Sequence, residues 1–231
     1  MLITAGYIAR LYAASIYPRS LYAAGCSSSR AETATRTSCF GQAIAFKNMI
    51  DGKLVRLRPI ELNDLERYID WVNDPEVVRY QGARYPWSRV AEEDWLKEAM
   101  RKTSPPEIIL AIDTLAEGLH IGSVGLHEIH RENRKAVLGI MIGDKTFWDR
   151  GYGTDTVRTL LRFAFRETNL HRVQLIVHQD NARAIACYRK CGFVEEGRLR
   201  EDWYQDGRYA DTIVMGVLAP EFHALSDAQM G

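Results

Sequence analysis

Between an apolar run, Val137-Leu-Gly-Ile-Met-Ile142, and a segment with apolar residues at Val157, Leu160, Leu161, Ala164 and Phe165 stands Asp149-Arg-Gly-Tyr-Gly-Thr-Asp155. A strand, a turn with two glycines and a helix in succession can hold an anion. The glycines let the backbone come close, and the free amides of a helix N-terminus point at the charge. The same residues also make an ordinary glycine turn capped by Thr154, and this stretch alone does not separate the two readings. It is not a P-loop, because no Gly-Lys-Ser/Thr ends it. Nor is it a dinucleotide fingerprint, because Thr156 stands where the third glycine belongs.

A second stretch, Asp180-Asn-Ala-Arg-Ala-Ile-Ala-Cys-Tyr-Arg-Lys-Cys-Gly-Phe193, sets Asn181 at the start of a helix and Tyr188 seven residues on, two turns along the same face. Asparagine is a preferred helix N-cap. Tyr188 falls on the stripe Ala184, Cys187, Tyr188, Cys191, so the residues alone read first as core. Its phenol, with a pKa near 10, is also a proton donor that stays neutral at pH 7. His178, just ahead of this helix, reads as a residue that structures the loop.

These groups need a scaffold. Leu54-Val-Arg-Leu-Arg58 alternates like a strand, and Asn63–Trp71 and Ala91–Met100 carry helical spacing. Glu107–Asp113, His120–Leu126 and Ala136–Ile142 then form an antiparallel meander. Helix Thr154–Glu167, strand Arg172–Val177 and helix Ala182–Lys190 follow. Two last strands, around Val194–Trp203 and Ala210–Val217, flank the hairpin signal Asp206-Gly207. A meander feeding a β-α-β-α unit implies a mixed sheet with helices on its faces.

The chain has 231 residues, 46% of them hydrophobic, enough for one domain with a proper core and some excess. Its 30 Lys and Arg balance 30 Asp and Glu, which gives no electrostatic reason to expect a nucleic-acid or membrane-surface partner. A small partner is expected. No apolar run approaches the roughly 20 residues that span a bilayer. Cys26, Cys39, Cys187 and Cys191 show neither metal-ligand spacing nor a nucleophile–base pattern; they read as reduced thiols of a cytoplasmic protein, and no metal is expected.

Residues 1–48 carry Arg10, Arg19, Arg30, Arg36 and Lys47 against the single acid Glu32, without periodicity. A transit segment and a lipoprotein site at Cys26 are both weaker readings than an upstream extension, with Met49 as the natural start. A chain beginning at Met49 is expected to keep folding and ligand binding. The expected division is an extension at 1–48, a domain at 49–219 and a tail at 220–231.

Taken together, Arg150-Gly-Tyr-Gly-Thr154, Asn181-Ala-x-Ala-x-x-x-Tyr188-x-Lys190-x-Gly192-Phe193 and the tail Glu196-Gly-Arg198…Asp206-Gly-Arg-Tyr-x-Asp211 resemble the GNAT superfamily of acetyl-coenzyme A-dependent N-acetyltransferases. The resemblance covers roughly residues 53–218. It is nearest to the branch containing ribosomal-protein alanine and spermidine acetyltransferases. It implies the acyl-CoA N-acyltransferase fold, an α/β fold of α+β type with a mixed, mainly antiparallel sheet of six to seven strands and helices on both faces. Acetyl-CoA is then the co-substrate, an amine the acceptor, and the protein a monomer or homodimer.

On this resemblance the amides of Arg150, Gly151, Tyr152, Gly153 and Thr154 hold the pyrophosphate, and the strand Ile140, Met141, Ile142 pairs with the pantetheine. Asn181 hydrogen-bonds the pantetheine arm, and Tyr188 reprotonates the leaving thiolate. The superfamily has Gln or Arg three positions before the first glycine; here that position is Trp148, and Arg150 is the nearest cation.

An acceptor amine with a pKa of about 10 needs help to reach the thioester neutral, and Glu128 in His127-Glu-Ile-His130 is the expected general base, a solvated turn residue being its alternative. Glu61, Asp64, Glu66, Asp70, Asp74 and Glu76 against the one cation Arg67 either suit a cationic acceptor or form a solvated helix face. A non-catalytic acyl-CoA sensor on the same fold is the rival reading. Protein N-termini, polyamines and amino sugars stay open as acceptors.

Overall fold

A computed structural model describes residues 49–82 and 85–228. The expectations for residues 1–48, Cys26 and Cys39 among them, lie outside these. Among the described residues nine strands form one sheet: β1 (Ile50–Asp51), β2 (Val55–Pro59), β3 (Thr103–Ser104), β4 (Glu107–Thr114), β5 (His120–His130), β6 (Lys135–Ile142), β7 (Arg172–His178), β8 (Val194–Gln205) and β9 (Arg208–Leu218). The helices are α1 (Leu65–Val72), α2 (Arg89–Ala99), α3 (Tyr152–Arg166), α4 (Ala182–Lys190) and α5 (Ala219–Ala228). The seven longer strands are those the alternation predicts; β1 and β3, two residues each, are too short to leave a pattern and raise the count to nine.

The strand order is β1-β2-β4-β5-β6-β7-β9-β8, with β3 on β4. Every neighbouring pair is antiparallel except β6 and β7. The sheet separates two apolar layers. Leu138, Ile140 and Ile142 of β6 face α3 and α4, where Val157, Leu160, Leu161, Ala164 and Tyr188 are buried. Met141 faces the other way, toward Tyr68 and Trp71 of α1 and Leu96 of α2. That is the pleat's period of two at work.

Specific contacts fix three of the helices to the rest of the fold. Asp155, in the first turn of α3, accepts the backbone N–H groups of Lys53, Leu54 and Val55 on one oxygen, at 2.9, 2.6 and 3.1 Å, so it ties the start of β2 to the helix. Arg58 binds both oxygens of Asp64 at 2.9 and 2.8 Å and reaches Asp113 at 2.6 Å, which joins β2 and β4 to the turn that starts α1. The expected tail contains α5: Phe222 is buried against Phe165, ring centroids 5.5 Å apart, and Glu221 caps the helix by accepting from the Leu218 N–H at 2.8 Å. A helix of ten residues with one buried aromatic carries too little periodicity to stand out in the sequence.

The parallel pair positions the site. β6 and β7 are in register only at Lys135–Arg172, Ala136–Val173 and Val137–Gln174. Beyond these pairs they diverge, while β6 stays paired to β5 as far as Ile142 and β7 to β9 as far as His178. The sheet therefore has an opening inside it, flanked by the far halves of two strands.

Candidate active site

On the α3/α4 side of this opening lies a cavity of about 230 Å³. Ile142, Trp148, Gly151, Gly153, Thr154 and Cys187 are among the residues that line it, with Arg183 and Lys190 adding positive charge. Gly151 caps α3 with φ +88°, a left-handed conformation that favours glycine. The first amide of this helix to find a carbonyl is Asp155's, which bonds Gly151 O at 3.0 Å. The N–H groups of Tyr152, Gly153 and Thr154 belong to the turn that α-helical geometry leaves without intrahelical acceptors. A 15-residue helix adds its dipole to them. This cradle suits a phosphorylated ligand.

Trp148 has a role of its own. Its Nε1 donates to Ile142 O at 2.8 Å, which holds the end of β6, and the Arg183 guanidinium lies 4.4 Å from its ring centre. Arg183 thus brings from α4 the cation that position 148 lacks. Its exposed ion pair with Asp149, 2.9 Å, is of a kind worth only about 0.2–1 kcal/mol, so turning the guanidinium toward a phosphate costs little. The Arg150 side chain turns back to Thr146 O and the Phe147 ring, which leaves only its backbone for the cradle. Arg183 escaped the sequence reading because its relation to Trp148 is tertiary.

Asn181 caps α4 by accepting from Ala184 N at 3.2 Å, and Tyr188 is fully buried beside Phe193. Ile140, Met141 and Ile142 are buried at the diverging end of β6. Cys187 and Cys191 are buried and unbridged, with the Cys187 sulfur 3.2 Å from Thr154 Oγ1. Among the described residues no cluster of His, Cys, Asp and Glu could hold a metal ion.

On the α1/α2 side is a second, smaller cavity of about 60 Å³, lined among others by Tyr68, Glu92, Trp95, Gly125, His127 and residues 139–141 of β6. Gly125 and Gly139 face each other across β5 and β6, and having no side chains they leave this space. Glu92 is 1% exposed. A carboxylate at that depth is costly to keep charged unless donors or a cation attend it. Two residues along β5 from Gly125, His127 Nδ1 meets Glu107 Oε1 at 3.2 Å, and Lys102 meets the other Glu107 oxygen at 2.6 Å. The His127 hydrogen bond, helped by Lys102, holds the Glu107 carboxyl down at about 2 against burial.

That depression has a sign. A carboxyl lowered from 4.5 stabilises the fold above pH 4.5, and the contribution is lost as pH falls through about 2. The stability advantage of the native protein over Glu107→Gln should therefore be full at pH 5 and shrink toward pH 2 in thermal melts. An advantage that does not change over this range would mean the carboxylate is not held by its neighbours.

The expected base, Glu128, is elsewhere. It sits in a bulge of β5 at φ 50°, exposed, beyond the His127–Val137 pair and so toward the closed end of β6 and β7. The acidic run is largely engaged: Asp64 with Arg58, Glu66 with Arg89, and Asp74 and Glu76 with Lys145. The pairs of Glu66, Asp74 and Glu76 favour the solvated-face reading, whereas Asp64 is buried against Arg58. A wider groove of about 500 Å³, walled by Val78, Tyr85, Pro86, Trp203, Tyr204 and Asp206, runs between the α1–α2 connection and the β8–β9 hairpin; Val72 borders both it and the small cavity.

Comparison with known proteins agrees with this geometry. Residues 55–194 match the family model described as acetyltransferase (GNAT) domain. The chain is 30% identical over 171 residues to spermidine N(1)-acetyltransferase of Escherichia coli K12, covering 74% of this chain and 89% of that protein. It is 26% identical over 168 residues to the uncharacterized N-acetyltransferase p20 of Bacillus licheniformis, covering 72% and 93%. The crystal structure of spermidine N-acetyltransferase from Vibrio cholerae in complex with CoA and spermine superimposes with a TM-score of 0.66 at 28% identity, covering 73% of this chain and 98% of that one.

Proposed function

Because this chain belongs to the GNAT acetyltransferase family, and is therefore an acetyl-CoA-dependent N-acetyltransferase, we propose that residues 49–219 transfer the acetyl group to a primary amine by direct attack in a ternary complex. The acceptor is a protein N-terminus or a small amine such as a polyamine. One observation carries the reading: the phosphate cradle and the small acid-containing cavity lie on opposite faces of the sheet, and both reach β6, the cradle at Ile142 and the cavity at Gly139–Met141.

Acetyl-CoA supplies the thioester. The chain supplies the rest: backbone amides from Arg150 to Thr154 and the cations Arg183 and Lys190 for the phosphates, the free edge of Ile140–Ile142 and the Asn181 side chain for the pantetheine arm, and Tyr188 as proton donor to sulfur. Buried Glu92, with Tyr68 and Trp95 around it, suits an ammonium group, since a carboxylate and aromatic faces both attract cations. Among the described residues no cysteine stands beside a base, so a covalent acetyl-enzyme has no nucleophile there.

Thiol release from acetyl-CoA, followed across spermidine, alanine-initiated peptides and amino sugars with mass detection of the product, tests the proposal. An acetylated amine is the expected result. Coenzyme A binding without acetylation of any amine would favour the sensor.

A further inference from the structure

The small cavity also contains the means to take a proton. His127 is buried, its side chain 5% exposed, and its Nδ1 faces the Glu107 carboxylate at 3.2 Å. Because a carboxylate only accepts, Nδ1 carries the hydrogen of the neutral ring, and Nε2 is left with a lone pair. Nε2 lies over Gly125, 3.0 Å from where a Cβ on that residue would be, against the same cavity that Gly139, Ile140 and Met141 line. The arrangement is a carboxylate that orients an imidazole, with the imidazole's free nitrogen against a cavity that β6 also lines.

We propose that His127 is the general base of this acetyltransferase and Glu107 its positioning residue; the assignment rests on the acetyl-transfer reading above. As the amine nitrogen bonds to the acetyl carbon and the carbon–sulfur bond breaks, His127 Nε2 takes the proton that nitrogen loses, and Tyr188 Oη gives one to sulfur. An amine and an acetyl thioester become an amide and a thiol, so atoms and charge balance. The neutral ring accepts on Nε2, and the amine nitrogen becomes a far stronger acid once it is bonding to carbon.

The other candidates are less suited. His178 accepts the Asp180 N–H on Nδ1 at 3.1 Å, so its neutral ring carries the hydrogen on Nε2 and can only donate there. Glu128 is exposed in its bulge. Glu107, with Lys102 behind it, contacts His127 from the β4 side, and Glu92 of α2 and Tyr68 of α1 line the same cavity; burial pushes the Tyr68 pKa up and keeps its hydroxyl neutral.

The wild-type enzyme is first assayed with the amine panel. Absence of any acetyl transfer there would remove the acetyl-transfer reading and this proposal together, and is thereby kept apart from the effects of the substitutions. His127→Gln should lower kcat/KM by roughly 10²–10⁴-fold, the range for losing a general base. Coenzyme A affinity, measured by calorimetry, should stay within about twofold. Glu107→Gln should lower kcat with coenzyme A affinity intact and let the His127 ring populate the Nε2–H tautomer in nitrogen-15 spectra, because a side-chain amide can also donate to Nδ1; a merely structural Glu107 would leave the tautomer unchanged. Should His127→Gln fail to fold, nitrogen-15 spectroscopy of the wild-type ring decides, with a protonated Nδ1 and bare Nε2 expected. An Nε2–H tautomer, or a folded His127→Gln within about threefold of wild type, overturns the assignment.

Discussion

Tyr188→Phe is expected to lower the turnover number by roughly 10²–10⁴-fold with coenzyme A affinity intact, the signature of a lost general acid. The substitution removes one oxygen and keeps the ring, which is fully buried with Phe193 at 5.8 Å between centroids. A residue used only for packing would behave in the opposite way. Losing a hydrogen-bonded hydroxyl from the core costs about 1–3 kcal/mol of stability and leaves turnover per folded molecule almost unchanged. Turnover and thermal unfolding measured on one preparation separate the two, and near-native turnover would take Tyr188 out of the chemistry.

Gly153→Val should weaken acetyl-CoA binding by at least about tenfold, or ~1.4 kcal/mol. Gly153 is the second residue of α3 and lines the phosphate cradle, so a branched side chain there occupies the space a phosphate needs. The fold should hardly notice. Valine is a better helix residue than glycine, by a few tenths of a kcal/mol, and a change of that size moves Tm by no more than a few degrees. Unchanged affinity in the folded variant would reduce the glycine turn to a turn.

Much of this was written locally in the sequence. Asp206-Gly207 closes the β8–β9 hairpin with φ values of 52° and 79°, as its residue types demand, and Asn181 caps its helix because its side chain reaches only its own neighbours. The glycine turn, too, is where local rules place it. What the sequence could not display is whatever depends on distant elements meeting. No residue type encodes the parting of β6 from β7 after Val137, and the cavity draws Tyr68, Glu92, Gly125, His127 and Gly139 from two helices and two strands. The period of two nevertheless held a clue to the base: Gly125 and His127 share a face, and Glu128, one step on, does not.

The parting of β6 and β7 also makes the sheet two plates joined by a short seam. Three residue pairs stitch β1–β6 to β7–β9 across it. A ligand that hydrogen-bonds along the open stretch lengthens the seam and acts as a rivet between the plates. Coenzyme A at a hundredfold excess over its Kd should thus add about 2.7 kcal/mol of stability by mass action alone. The accompanying protection from amide hydrogen exchange should be concentrated at residues 138–142 and 175–178, on either side of the opening, instead of spread through the core.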